Sequence, residues 1–181
     1  MHINEVKTAI KIGEFVLRRN HPNKIDINYL PRLDENLLKD DRARVYLFVQ
    51  DGIIKKIGGS SAKGGIKNTI SFYVNAMQGS PGRPRFIIHL LIEQALKDGS
   101  KVEVYMITSP KTKARVNGLF GSTILKIASY KEMEDICKRD FYLKEGKYPD
   151  WNFQENNIPY PKELENKYLE YQKHRVSKRK K

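Results

Sequence analysis

The chain has 181 residues, enough for one domain, and its hydrophobic fraction of 39% supplies one modest core. Its formal net charge of +13 at pH 7 favours a polyanionic partner, because side chains that neutralise phosphates release condensed counterions. The apolar runs reach only strand length, which excludes a membrane-spanning helix, and the lone cysteine, Cys137, excludes an internal disulfide. We therefore expect a cytoplasmic protein that binds nucleic acid and no membrane.

The first 43 residues are predicted to form an N-terminal helical arm and a linker. Apolar side chains recur there at roughly helical spacing, which predicts a helix from about Ile3 to Arg19. Pro22 and Pro31 break this pattern. The segment around these prolines is therefore predicted to be loop and extended chain.

A β-hairpin is predicted from Val45 to about residue 57. Asp51-Gly52 is a strong signal for a two-residue turn, because that turn needs positive φ at both central positions. Facing strands would place Tyr46 and Lys56 on one face, a few ångströms apart. A lysine opposite a tyrosine is costly in an apolar core and useful beside a phosphate. The alternative is an ordinary exposed cross-strand pair.

The rest of the chain is predicted to alternate between helices and strands and to end in a basic tail. Six of the last nine residues are lysine or arginine, which predicts a tail that is disordered by itself. This order predicts an α+β domain with a small antiparallel sheet, built on the hairpin and flanked by helices. The predicted elements are helices over Ile66–Met77 and Phe86–Leu96, a strand over Lys101–Ile107, a basic loop over 109–122, a possible strand over Thr123–Ala128, and helices over Tyr130–Leu143 and Pro161–Lys173.

This order, together with particular residues, resembles the GIY-YIG nuclease superfamily. The two hallmark tripeptides of its hairpin appear as Val45-Tyr46-Leu47 and Lys56-Ile57-Gly58. The chain is most similar to the small phage endonuclease II type and to type II restriction enzymes of this fold. Ala95–Tyr105 resembles the helix-to-strand joint of the phage type, and Pro149–Gln154 (PDWNFQ) resembles the close of its domain. The resemblance implies an arm and linker over 1–43, a nuclease domain over 44–154, and a C-terminal helix and basic tail over 155–181.

The resemblance implies a sequence-specific type II restriction or phage endonuclease that uses Mg²⁺ to hydrolyse phosphodiester bonds in double-stranded DNA. Tyr46 would take a proton from water, with its phenol acidified by Lys56 and the metal. Tyr73 resembles the residue one turn after the catalytic arginine of the superfamily, and it also fits an apolar helix stripe. That arginine is missing, since none lies between Arg44 and Arg83.

Two positions compete for the place of the missing arginine. Counted back from Tyr73, the position holds Thr69, whereas counting forward from Gly58 gives Lys67. We take Lys67 as the stand-in, and the alternative is a solvated lysine on the first turn of its helix.

The metal ligand should be a carboxylate, because Mg²⁺ prefers oxygen and often takes only one or two protein groups. Met133, Cys137 and Phe141 form a predicted buried stripe, which places Glu134 at the edge of the core face. Glu132 is the second candidate, although its spacing from Ser129 also fits a capping box.

Contacts to DNA are predicted by region, from basic residues in loops. Arginine can read guanine through paired hydrogen bonds, so the arginines are the candidates for specificity. Cutting both strands would need two active sites and hence a homodimer. The alternatives are a protein that keeps the fold and binds nucleic acid without cutting it, or a ribonuclease. The candidate contact residues are Lys63, Arg83, Arg85, Lys111, Lys113 and Arg115.

Overall fold

A computed structural model describes residues 1–39, 42–109, 112–127 and 130–179 of the protein. Five antiparallel strands form the main sheet, in the order β2-β1-β5-β3-β4, and two more form a separate hairpin. The strands are β1 (Ile10–Leu17), β2 (Ile25–Tyr29), β3 (Arg44–Gln50), β4 (Ile53–Ser60), β5 (Val102–Thr108), β6 (Thr112–Gly118) and β7 (Gly121–Ile127). The helices are α1 (Glu35–Lys39), α2 (Gly65–Val74), α3 (Arg83–Lys97), α4 (Tyr130–Glu145) and α5 (Lys162–Arg179), and a 3₁₀ turn covers Ile3–Glu5.

Strand β3, in the main sheet, is buried on both faces. Tyr46 and Phe48 of β3 belong to the core that includes residues of α2 and α3. The alternate residues Val45 and Leu47 belong to a second core, which Phe141 of α4 completes. Burial on both faces explains why β3 is a nearly continuous apolar run.

The central part of the fold agrees with the prediction. The hairpin of β3 and β4 turns at Asp51 (φ 47°) and Gly52 (φ 82°), as its two-residue signal requires. Helices α2, α3 and α4 and strand β5 overlap their predicted ranges. A mixed chain with an antiparallel sheet flanked by helices confirms the α+β class.

The predicted N-terminal helix is wrong, because residues 10–17 form strand β1. A β-bulge between Lys11 and Gly13 shifts the pairing of β1 with β5 by one residue. The shift spaces the buried side chains of Ile12 and Phe15 by three residues, which interrupts the alternation expected of a strand. Residues 10–29 therefore supply two strands to the main sheet.

Two further predictions in the C-terminal half are wrong. The predicted basic loop contains strand β6, which pairs with β7 in a hairpin. The predicted disordered tail is helical as far as Arg179. Tyr171 and Arg175 hold this part of α5 in place by donating hydrogen bonds to the carbonyl of Gly79. The helix is strongly polar, and nothing helical in the described ranges is long and apolar enough to cross a membrane.

Asn152 covers the outer edge of β4. Its side-chain oxygen accepts a hydrogen bond from the Ile57 amide at 2.9 Å, and its amide nitrogen donates to the Ile57 carbonyl at 3.0 Å. The Trp151 amide donates to the carbonyl of Lys55 beside it. These bonds satisfy backbone groups that an edge strand would otherwise leave unpaired, and they hold β4 immediately before Gly58 and Gly59.

Replacing Asn152 by alanine should lower the free energy of unfolding by about 1–3 kcal/mol, because the buried amide and carbonyl of Ile57 lose their partners. Urea unfolding followed by circular dichroism measures this change. Asn166→Ala on the exposed surface of α5 is the control, with an expected change within about 0.5 kcal/mol. Equal stability of the two variants would contradict the role assigned to Asn152.

Candidate functional site

A pocket of about 260 Å³ lies at the C-terminal end of β4. It is open to solvent on one side, and its walls come from β3, β4, the loop after β4, and helices α2, α3 and α4. Such a concave, mostly polar site between several elements is a candidate active site. The lining residues are Tyr46, Gly59, Ser60, Ser61, Ala62, Thr69, Phe72, Tyr73, Arg85 and Tyr130.

Two tyrosines share a hydrogen bond at the base of this pocket. The hydroxyl oxygens of Tyr46 and Tyr73 are 2.6 Å apart, and both side chains are buried. Burial and the neighbouring Tyr73 raise the pKa of Tyr46 well above its usual range, and burial raises the pKa of Tyr73 to about 12. Both phenols are therefore protonated at neutral pH, and added positive charge is needed before either can accept a proton.

The glycine pair Gly58-Gly59 lets groups from both faces of the sheet reach the edge of β4. Gly58 pairs with Tyr46, and a Cβ at Gly58 would overlap the Tyr46 phenol. A Cβ at Gly59 would lie 2.5 Å from Oε2 of Glu134 and 2.8 Å from the ring of Tyr130. Because neither glycine has a side chain, the Tyr46 phenol and the Glu134 carboxylate can both approach this short segment of backbone.

Gly59→Ala should displace Glu134 and Tyr130 and lower any activity that needs them. The new methyl group has no room, because distances below 3.0 Å force its neighbours to move. Gly82→Ala is the matched control, since the nearest atom to its Cβ is 3.9 Å away. For the DNA cleavage that the sequence resemblance implies, we expect a fall of at least about tenfold for the first variant, which corresponds to about 1.4 kcal/mol of barrier or more, and none for the second.

Glu134 is already neutralised by a lysine one turn along α4. Lys138 contacts Glu134 at 2.6 Å and also pairs with Glu155. Burial alone would lower the pKa of Lys138, but the hydrogen bonds to both carboxylates outweigh burial and raise it. Lys138 therefore carries its charge at neutral pH and competes with any cation for Glu134.

Lys56 lies on the same face of the hairpin as Tyr46 but not directly opposite it. It pairs with Phe48, two residues along from the Tyr46–Gly58 pair. Burial lowers the pKa of Lys56, and Glu155 partly opposes that shift. The structure thus places Lys56 near the ion-pair cluster of Glu134, Lys138 and Glu155.

The structure does not bring Lys67 to the pocket. Its ammonium group pairs with Glu35 at 3.2 Å and lies 5.5 Å from the centre of the Tyr29 ring. Thr69, the competing position, does line the pocket and shares a 2.7 Å hydrogen bond with Ser60. The role of Lys67 as stand-in for the arginine stays a prediction that the pocket does not support, because its turn of α2 faces α1.

The cation that lines the pocket is Arg85 of α3. Its guanidinium lies 4.4 Å from the centre of the Phe72 ring, and it acts to lower the pKa of both pocket tyrosines. The sequence suggested Arg85 only as a DNA contact. Its role at the pocket had no local signal, because α3 begins nine residues after α2 ends.

The remaining candidate residues that the structure describes lie outside the pocket. Arg83 pairs with Glu165 of α5, and Glu132 is exposed on the first turn of α4. Lys63 is exposed just before α2, and Lys113 and Arg115 are exposed on β6. Lys111 and the proposed cap Ser129 lie outside the described residues.

No group of three or more histidine, cysteine, aspartate or glutamate residues in the described ranges could hold a metal ion. A single carboxylate, Glu134, stands beside the pocket at Gly59. This donor set suits Mg²⁺, which is commonly held by one or two carboxylates and takes its other ligands from water and substrate phosphate. It does not suit zinc, which requires three or four protein ligands.

The fold is shared with a known nuclease structure. A bacteriophage T4 EndoII mutant is similar at a TM-score of 0.53 and 21% identity, over 84% of this chain and 99% of that one. Restriction endonuclease HPY188I in complex with product DNA is also similar, at a TM-score of 0.49 and 21% identity, over 82% of this chain and 84% of that one. No family model and no curated protein matches the sequence. The likeness to EndoII confirms the predicted fold of the GIY-YIG nucleases.

Proposed function

We propose that the protein is an endonuclease that uses Mg²⁺ to hydrolyse phosphodiester bonds of double-stranded DNA. The observation that carries this proposal is that the Tyr46 phenol and the Arg85 guanidinium line one pocket, while the Glu134 carboxylate lies beside it at Gly59 and acts on the pKa of Tyr46. The fold shared with phage EndoII and the net charge of +13 support the proposal independently.

In the proposed reaction, a DNA phosphate enters the pocket and contacts Arg85. The guanidinium holds the phosphate by charge and stabilises the negative charge that develops on its oxygens. In the active form Tyr46 has lost its proton to solvent, and the hydroxyl of Tyr73, 2.6 Å away, donates a hydrogen bond to the phenolate. The phenolate accepts a proton from the attacking water as the water oxygen bonds to phosphorus and the bond from phosphorus to the leaving ribose oxygen breaks. Arg85 and the incoming cation both favour the phenolate, which burial alone disfavours.

Mg²⁺ would be held by Glu134 and, when bound, would supply positive charge at the phosphoryl oxygens and beside Tyr46. For the carboxylate to bind the ion, Lys138 must give up one of its two partners. Its second partner, Glu155, keeps the ammonium group neutralised in that state. Because Glu155 stays with Lys138, replacing the lysine by a metal ion at Glu134 costs less free energy than it would for an isolated ion pair.

Arg85→Ala should lower the rate of DNA cleavage by about 10²–10³-fold, the usual effect of removing one group that stabilises charge in the transition state. Arg83→Ala is the matched control on the same helix turn, because Arg83 is turned toward Glu165 and Tyr168. Its cleavage rate should stay within a few-fold of the wild type. Equal losses of cleavage rate in the two variants would show that Arg85 contributes only non-specific positive charge, as Arg83 does.

Incubating purified protein with supercoiled plasmid, methylated and unmethylated, tests the function. Metal-dependent nicking or linearisation supports it, and banded products would further indicate the sequence preference of a restriction enzyme. Absence of cleavage on every DNA, with and without Mg²⁺, would overturn it. Since the chain holds one such pocket in the described ranges, double-strand cutting would require a homodimer.

A second candidate is a nucleic-acid-binding protein that keeps the fold without the chemistry. Thr69 on α2, where the superfamily carries its arginine, favours this candidate. It predicts salt-sensitive binding that Tyr46→Phe leaves unchanged, and no cleavage by the wild type. Competition between DNA and RNA in the same assay separates a ribonuclease from a deoxyribonuclease.

A further inference from the structure

The hairpin of β6 and β7, here called the basic ribbon (112–127), stands apart from the main sheet. It forms its own two-stranded sheet, and none of residues 113–125, whose burial the structure describes, is buried. An isolated hairpin is only marginally stable in water. A ribbon that exposes apolar side chains in this way gains stability from a partner.

The tip of the basic ribbon is apolar and exposed. Leu119 is 94% exposed and Phe120 fully exposed, between the paired glycines Gly118 and Gly121. Two-residue hairpin turns favour asparagine, aspartate and glycine, so two large apolar residues do not serve the turn itself. Exposed apolar groups of this size are typical of binding sites.

The flanks of the basic ribbon are cationic. Residues 109–129 contain four lysines or arginines and no acidic residue. Lys113 and Arg115 both lie on β6 and are two residues apart. Their side chains therefore lie on the same face of the ribbon. This charge is complementary to a phosphate backbone, whereas a second copy of the ribbon would bring like charges together.

The root of the basic ribbon lies at the pocket. The strand that leads into it ends at Thr108, which pairs with Arg44, and Arg44 pairs with the pocket residue Ser60. The helix that follows the ribbon begins at Tyr130, another pocket residue. Seven residues of strand extend roughly 23 Å, about the width of a DNA duplex. A duplex with one phosphate in the pocket therefore lies within reach of the ribbon.

We propose that the basic ribbon enters a groove of duplex DNA beside the cleavage pocket, with Leu119 and Phe120 as an apolar wedge against the bases. This inference rests on the proposed function, because it takes DNA as the substrate. A two-stranded ribbon fits a DNA groove, and apolar wedges that unstack bases are a known means of bending a duplex. The cations on its face would follow the backbone, and the tip would hold the duplex in register at the pocket.

Binding is measured by fluorescence anisotropy of a labelled 30-base-pair duplex without metal, at several salt concentrations. Leu119→Ser/Phe120→Ser should weaken binding at least about tenfold with little change in the salt slope. Lys113→Gln/Arg115→Gln should lower the slope of log affinity against log salt by about 2. The controls are Leu143→Ser, an exposed leucine of α4, and Arg19→Gln/Lys24→Gln beside the far edge strand β2.

Wild-type affinity in both ribbon variants would overturn the inference. So would a tip variant that binds DNA normally but loses self-association in sedimentation, since the tip would then contact a second copy. Cleavage by the wild type with unaffected ribbon variants removes this inference and keeps the proposed nuclease. If DNA binding depends on the ribbon but the wild type cleaves no DNA, the proposed nuclease is removed and the inference about the ribbon is kept.

Discussion

Tyr46→Phe is expected to lower DNA cleavage by at least about 100-fold while the protein still folds and binds DNA. The variant removes only the hydroxyl that the proposal assigns to proton transfer, and such groups contribute about 10²–10⁴-fold. It also removes the hydrogen bond to Tyr73, which should lower the free energy of unfolding by about 1 kcal/mol. Single-turnover cleavage with Mg²⁺ measures the rate, and urea unfolding measures the stability.

The pH dependence gives this variant a sharper signature. Burial raises the pKa of Tyr46, so the fraction of phenolate, and with it the wild-type rate, should increase about tenfold per pH unit at neutral pH. Tyr46→Phe should lose that slope. Tyr105→Phe is the control, because Tyr105 pairs with Leu47 on the other face of the sheet. Full activity in Tyr46→Phe would remove the phenol from the mechanism.

Glu134→Gln is expected to lower cleavage by about 100-fold or more and to raise the Mg²⁺ concentration needed for half-maximal rate. The amide keeps the shape of the side chain beside Gly59 but loses the charge that attracts the cation. Lys138 keeps Glu155 as its partner, so the fold should survive the change. A titration of cleavage rate against Mg²⁺ measures both effects.

Glu132→Gln is the matched control, two residues earlier on the same helix and exposed. It should retain nearly full activity and an unchanged Mg²⁺ dependence. The reverse pattern, with Glu132 essential and Glu134 dispensable, would move the metal to the other carboxylate. In that case the metal would no longer be placed beside Gly58 and Gly59 at the pocket.

Local patterns carried most of the fold prediction. The turn signal at Asp51-Gly52 placed the central hairpin, and both of these residues have positive φ. Strand β1 was mistaken for a helix because Val6, Ile10, Phe15 and Val16 lie at roughly helical spacing, while a bulge at residues 11–13 interrupts the alternation of a regular strand. Such a bulge depends on pairing with β5, ninety residues away, and leaves no local trace.

The candidate site was predictable only in part, for the same reason. Tyr46 and Tyr73 follow from the hairpin and from one helix, and the structure joins their hydroxyls. Arg85 reaches the pocket only through the packing of α3 beside α2, so counting along the chain led to Lys67 instead. The Glu134–Lys138 pair has the i, i+4 spacing that a sequence shows, whereas the contact with Glu155 depends on tertiary structure.

A crystal structure of Tyr46→Phe with Mn²⁺, and with a duplex that carries a cleavage site mapped for the wild type, tests the site most directly. Mn²⁺ replaces Mg²⁺ because its anomalous signal locates the ion. The site described above predicts one phosphate in the pocket against Arg85, with the ion on Glu134 and Lys138 turned to Glu155. A duplex bound away from the pocket, or an ion held by carboxylates elsewhere, would contradict it.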